Sequence, residues 1–264
     1  MKKFYGICAG SMMQALNIAQ QNDLTAMQAM SYISDAMDSN SPEFNMQANL
    51  LKIPEGIRLI SHAPLMSNMA GAKRTRQFSI NLLLAETKRC AKLGIDTVVF
   101  HPGSSEEENA LDILVESIEQ YKSTVTKWGL RPLKHLCVET MVGAGAQLCS
   151  TPEEIIKVVE ATGIDFCLDT AHIYGAGYTM AEFLEPIKQA GFMDRLQVVH
   201  YNNTASILGS KKERHTILTE GVIPQDTLIN PLDMISDDIP FILEQPKNSD
   251  VARSAKEIKM WLNS

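Results

Sequence analysis

The chain reads as an α/β protein: one (β/α)8 barrel of the TIM type, spanning residues 1–264 as a single domain. Three observations predict this. Short apolar runs alternate with helical stretches, the pattern of a parallel sheet. Eight such runs can be placed, enough to close the sheet, and 264 residues is near the ~250 typical of the fold. Histidine, aspartate or glutamate also recurs at the C-terminal end of run after run, which is where barrels keep their chemistry.

Strands are expected near 3–8, 25–32, 57–62, 96–101, 134–139, 164–169, 196–201 and 240–244. The second is weakest, because Ala26-Met27-Gln28-Ala29-Met30 would equally suit a helix. The opening Met1-Lys2-Lys3 resembles the basic end of a signal peptide. The apolar stretch behind it breaks at Gly10-Ser11 without a cleavage region, so a buried first strand is the better reading. Helices are expected at 73–93 and 106–128, with others near 12–22, 152–162, 180–193 and 252–262. Thr151-Pro152-Glu153-Glu154 forms a helix start, with a capping hydroxyl, a proline in the first turn and early carboxylates. Gly94 and Gly129 close the helices before them. Because side chains alternate along a strand, residues two before each strand-end polar group should form the inward layer beneath the rim. Those positions are Ile60, Val99, Cys137, Cys167, Val198 and Ile242, all apolar or small.

Composition sets the class. Hydrophobic content of 45% and charged content of 21% are those of an ordinary soluble globular protein. No apolar run approaches the ~18–20 residues that cross a bilayer. Five cysteines (8, 90, 137, 149 and 167) without metal-type spacing argue against a disulfide framework and for a reducing, cytoplasmic compartment. Cys137 and Cys167 read as small core residues, with zinc thiolates a minority alternative. The net charge of −7 weighs against a nucleic-acid partner. Two basic clusters, Lys73-Arg74-Thr75-Arg76 and Lys211-Lys212-Glu213-Arg214, weigh the other way, although either alone is equally explained as solvated surface charge. Bound divalent metals would add positive charge that the sequence count omits.

The strand ends carry the chemistry. They are Ile60-Ser61-His62-Ala63-Pro64, Val99-Phe100-His101-Pro102-Gly103, Cys137-Val138-Glu139, Cys167-Leu168-Asp169-Thr170-Ala171-His172, Val198-Val199-His200 and Ile242-Leu243-Glu244, with Glu213 and His215 in a basic loop. Imidazole nitrogen and carboxylate oxygen are the donors that Zn2+, Mn2+ and Fe2+ prefer. So many at one rim exceed the needs of a single ion and point to a multinuclear hydrolytic site. One strand-end histidine is more often an ordinary hydrogen-bonded rim residue. Taken together the set resists that explanation, since buried carboxylates and imidazoles are costly without a cation. His135, four residues before Glu139, lies lower in the barrel and is expected to be structural. Asn202 and Asn203 follow His200 and suit either support of the donors or a plain turn.

These strings resemble the endonuclease IV family over nearly the whole chain, from about Lys3 to Glu244. The most specific parts are Cys167 to His172 with Gly175-Ala176-Gly177-Tyr178, and Leu208-Gly209-Ser210-Lys211-Lys212-Glu213-Arg214-His215. The resemblance implies a zinc-dependent apurinic/apyrimidinic endonuclease that hydrolyses the phosphodiester 5′ to an abasic site in duplex DNA and leaves a 3′ hydroxyl. It implies up to three Zn2+ per chain, with Mn2+ or Fe2+ as substitutes, in a monomer. His62, His101 and Glu139 would hold one metal. Glu139 would bridge to a second with Asp169, His200 and Glu244, and His172, Glu213 and His215 would hold the third. Glu139 and Glu244 would then be central to catalysis. Leu65 and Met66 stand where the family sets an aromatic-aliphatic pair against DNA. Lys73, Arg74, Arg76, Lys211, Lys212 and Arg214 are the expected phosphate contacts.

The sequence departs from the family in several places. Glu213 stands for the usual aspartate, and Cys8 lies where histidine is common. Segment 33–48 is acidic where basic and aromatic DNA contacts are expected, and Thr216-Ile217-Leu218-Thr219 lacks the usual loop residues. Two rival readings follow. One is a sugar isomerase or epimerase on the related xylose-isomerase-like barrel, with one or two metals; a set built on His172, Glu213 and His215 has no obvious use there. The other is a lesion-binding protein that has lost turnover.

Overall fold

The computed structural model describes residues 2–31, 39–244 and 250–263. The barrel begins with β1 (Tyr5–Ala9), β2 (Ala26–Ala29), β3 (Arg58–His62), β4 (Thr97–Phe100), β5 (His135–Glu139), β6 (Asp165–Asp169) and β7 (Leu196–His200). A short antiparallel pair, β8 (Asn203–Thr204) and β9 (His215–Thr216), stands above the rim, and β10 (Phe241–Glu244) closes the ring between β7 and β1. Every neighbouring pair in the barrel is parallel.

The expected inward layer is present. Ile60, Val99, Cys137, Cys167, Val198 and Ile242 meet Ala26 in one buried cluster inside the barrel, separate from the larger core between sheet and helices. Both cysteines are core residues there, and all five cysteines are free. The doubtful second run is a strand: all four residues of β2 are buried, and it pairs with β1 and β3. Burial on both faces removes the alternation that normally distinguishes strand from helix. Gly6 in β1 is required by this pairing, since a Cβ there would lie 1.9 Å from the Ala26 carbonyl oxygen.

The helices follow the strands as α1 (Met12–Gln21), α2 (Pro42–Leu50), α3 (Lys73–Leu93), α4 (Ala110–Lys127), α5 (Pro152–Thr162), α6 (Thr170–Ala176), α7 (Met180–Gln189), α8 (Gln225–Ile229) and α9 (Val251–Leu262). At α5, Thr151 accepts from the Glu154 amide and Gly163 ends the helix at φ 66°. Gly94 ends α3 in the same left-handed conformation. The helix expected over 106–128 starts only at Ala110, and that expected over 180–193 stops at Gln189, followed by a 3-10 turn at Met193–Arg195. The acidic segment 33–48 falls partly outside the described residues, and its later portion enters α2 rather than a loop. His215 belongs to β9, not to an irregular loop. Among the described residues no helix is long and apolar enough to cross a membrane.

Candidate metal centre

The strand ends converge. Three groups of potential metal donors lie at the C-terminal rim: His62 with His101 and Glu139; Glu139 with Asp169, His200 and Glu244; and Asp169 with His172 and His215. The side chains come from β3, β5, β6, β7, β9 and β10, with His101 just past β4 and His172 in α6.

Glu139 links the first two groups through separate oxygens. Its Oε2 is 3.2 Å from His62 Nε2 and 3.0 Å from His101 Nε2, while Oε1 is 3.0 Å from His200 Nδ1. His200 Nδ1 also faces Asp169 Oδ2 at 3.8 Å and Glu244 Oε2 at 3.5 Å. Three rings have their outer nitrogen occupied. His62 donates from Nδ1 to the Ala63 carbonyl (2.7 Å), and His172 from Nδ1 to the Thr140 carbonyl (2.8 Å). His200 donates from Nε2 to the Gln28 side-chain oxygen (3.0 Å). Each hydrogen bond leaves the opposite nitrogen with its lone pair toward the carboxylates, the tautomer a metal ligand needs.

α6 explains how Asp169 and His172 act together. Asp169 caps the helix, its Oδ1 accepting from the His172 amide at 2.7 Å, so Oδ2 is left to face the site. One helical turn then brings His172 back over the rim. The sequence carried this signal: a capping aspartate, with Gly177 left-handed at φ 116° after the helix. Asn202 supports the same oxygens, donating to Asp169 Oδ2 at 2.7 Å and Glu244 Oε2 at 3.3 Å, while its own Oδ1 accepts from the Glu244 amide. Asn203 is instead spent on loop closure, bonding the Leu218 and Ile223 carbonyls. Asn68 ties the loops after β3 and β4 by bonding both ways to Ser104. Gly103 permits that approach: its φ is 99°, and a Cβ would lie 2.1 Å from Asn68 Oδ1. His135 lies at the opposite end of the barrel, 2.8 Å from Asp165.

The third group brings His172 and His215 together with two carboxylates. Asp169 forms a close cluster with them, its Oδ2 3.8 Å from His172 Nδ1 and 3.6 Å from His215 Nε2. Glu213 remains beside it, half-exposed, with Oε2 3.2 Å from His172 Nε2 and Oε1 3.9 Å from His215 Nε2. Both of those ring nitrogens are buried and lack a hydrogen bond of normal geometry. Two orphaned imidazole nitrogens beside carboxylates fit a cation, which accepts lone pairs that no hydrogen donor here satisfies.

The electrostatics agree. Burial works to raise the Glu139 carboxyl, but the His200 and His101 rings outweigh it and hold the group well below the usual range. At Asp169 burial wins and raises the carboxyl, only partly offset by His172 and His215. The close His172 ring draws Glu213 down to about 2 against burial. Burial lowers His172 and His62, yet Asp169 and Glu139 respectively lead the contributions that carry both rings above the ordinary value. The buried carboxylates thus favour positive charge at these rings.

The expected DNA-facing residues surround this mouth. Leu65 and Met66 stand 57% and 71% exposed in the segment between β3 and α3. Lys73, Arg74 and Arg76 open α3, with Arg76 3.6 Å from Glu116. Lys211, Lys212 and Arg214 are exposed between β8 and β9, where Ile207 and Leu208 form a further exposed apolar pair. Gln28 and Thr140 escaped sequence reading. Gln28 lies in the strand of weakest pattern, and Thr140 contributes a backbone carbonyl that no side-chain pattern marks.

Closed barrel and rim donors together define a xylose isomerase-like TIM barrel, and the model of that family matches residues 46–264. A Metamycoplasma arthritidis protein named probable endonuclease 4 is 31% identical over 266 residues, covering 93% of this chain and 92% of its own length. The crystal structure of endonuclease IV from Thermus thermophilus superposes with a TM-score of 0.81 at 27% identity, covering 98% of this chain and 99% of that one. A D-tagatose 3-epimerase-like protein shares the fold, with a TM-score of 0.77 at 22% identity over 100% of this chain and 97% of its own. Within these barrels, the chain belongs to the endonuclease IV family.

Proposed function

We propose that the protein is a metal-dependent endonuclease that hydrolyses the phosphodiester 5′ to an abasic site in duplex DNA, leaving a 3′ hydroxyl. The observation that carries this reading is the adjacency of three donor groups, two joined by Glu139 and two by Asp169. His62, His101 and Glu139 would hold one ion. Glu139, Asp169, His200 and Glu244 would hold a second. His172 and His215 would hold a third, with Asp169 in the close cluster and Glu213 alongside. The donor chemistry suits Zn2+, with Mn2+ or Fe2+ as substitutes. Bound there, such ions neutralise a phosphodiester, bring water toward ionisation near neutral pH and stabilise the departing oxygen.

The chain's own residues do the rest. Glu139 and Glu244 both present carboxylates to Nδ1 of His200, holding the donors in place before substrate arrives. Lys73, Arg74, Lys211, Lys212 and Arg214 offer positive charge to the flanking phosphates, and Arg76 can join them by leaving Glu116. Leu65 and Met66 supply an apolar wedge for the base stack. An abasic sugar is the easiest nucleotide to extrude into the mouth, since no base pair is broken. A cysteine nucleophile is unsuited to this site: burial pushes Cys8 and Cys167 up to about 12, so both remain thiols.

The test is cleavage of an end-labelled duplex bearing one stable abasic analogue, beside an undamaged duplex and a chelator-treated aliquot. A chelator-sensitive cut immediately 5′ to the analogue is expected. If fully metal-loaded protein leaves the strand intact, the endonuclease reading fails. Abasic-duplex binding without a cut would then favour a lesion-binding protein, and a metal content near one per chain a sugar isomerase.

A further inference from the structure

His200 is held differently from the other two rings whose outer nitrogen is occupied. His62 and His172 donate to backbone carbonyls, which no substitution removes. His200 donates to the Gln28 side chain, which is fully buried. Gln28 pairs in register with Cys8 on β1, and Cys8 with Glu244 on β10, so the three lie abreast on the inner wall.

A carboxamide can turn either end to its neighbour, and the direction matters here. With its oxygen toward His200, the ring must donate from Nε2, and Nδ1 keeps its lone pair toward Glu139, Asp169 and Glu244. With its NH2 group toward His200, the proton would move to Nδ1 and block the metal-facing nitrogen. Glu244 breaks the tie. An ionised carboxylate only accepts, and Gln28 Nε2 faces Glu244 Oε1 at 3.5 Å, with Cys8 Sγ at 3.6 Å as a second, weak acceptor. The NH2 end is therefore committed to Glu244 and the oxygen end to His200.

We infer that Gln28 is a positioning residue that fixes His200 with Nδ1 free for metal and holds one oxygen of Glu244, thereby setting metal affinity at the Glu139, Asp169, His200 and Glu244 group. The inference rests on the metal-site reading above. Gln28 touches neither substrate nor metal in this role; it acts through two groups that do. It also accounts for a polar residue with no exposed surface in a strand whose other residues are apolar.

The experiment is zinc affinity by competition with a chromophoric chelator, with the visible spectrum of the cobalt(II)-loaded protein as a second readout. Gln28→Met keeps the volume and removes both hydrogen bonds, while Gln28→Glu keeps an acceptor facing the ring. Losing the outer hydrogen bond of a metal-bound histidine costs roughly 10- to 100-fold in affinity. We expect that loss in Gln28→Met with an altered cobalt spectrum, and partial recovery in Gln28→Glu. If Gln28→Met does not fold, Gln28→Ala serves the same comparison. A wild-type protein that takes up no zinc would overturn the metal-site reading and this inference with it. Normal zinc uptake with unchanged affinity and spectrum in the Met or Ala variant overturns the role of Gln28 alone.

Discussion

Glu139 is the residue on which the rim depends most. It is almost fully buried, and its two oxygens face opposite sides of the donor array. Glu139→Gln turns an acceptor-only group into one that presents an NH2 toward ring lone pairs. A ligand should matter at least as much as a hydrogen-bond partner behind one, so a fall in cleavage of about a hundredfold or more is expected, with bound metal below wild type. Retained metal and near-normal cleavage would remove Glu139 from the centre. The raised rings give a second test. His172 and His62 hold protons more tightly than free histidine, so zinc must displace them. Apparent zinc affinity should therefore rise with pH through and above the ordinary histidine range and weaken below it. Titration calorimetry in two buffers of different ionisation enthalpy reads the protons released; no release near neutral pH would contradict the assignment.

At the scale of elements, a buried ion pair within α3 is tied to β3 by a hydrogen bond from Ser61. Arg89 Nη2 lies 2.5 Å from Glu86 Oε2, its Nε donates to Ser31 Oγ at 2.7 Å, and Ser61 Oγ donates to Glu86 Oε1. Ser61 faces α3 because its neighbour His62 faces the barrel mouth, the two-residue period of a strand. Arg89→Met would leave the Glu86 charge buried, a loss of about 3–5 kcal/mol. Urea denaturation should show it, with part recovered by adding Glu86→Gln; a loss under about 1 kcal/mol would mean that the pair contributes little. This pair was not legible in the sequence, where Glu86 and Arg89 look like two more charges on an ordinary helix. The helix itself was legible, with both limits of α3 as expected and its end marked by Gly94. α6 was not anticipated as a helix because it is a short turn whose capping residue also reads as a candidate ligand.

The whole molecule is acidic, with a net charge of −7, yet its mouth carries two basic clusters. If Lys73, Arg74, Arg76, Lys211, Lys212 and Arg214 all meet phosphates, the logarithm of the DNA binding constant should fall against the logarithm of salt with a slope of about −5. A slope near −1 would take most of these residues out of the interface. Fluorescence anisotropy with a labelled abasic duplex across a salt series gives the answer.

The sequence by itself determined the barrel, its inward layer and the residues that reach the rim. Those properties follow from strand periodicity and strand ends, which are local and are written in runs of five or six residues. Tertiary structure decided which rim residues meet. It added Asp169 to the cluster of His172 and His215, and gave Gln28 to His200 across 172 positions of chain. Such partnerships depend on how closed strands are staggered around the axis and on where one turn of α6 returns the chain. Neither quantity leaves a mark in local sequence, because both belong to the closed ring as a whole.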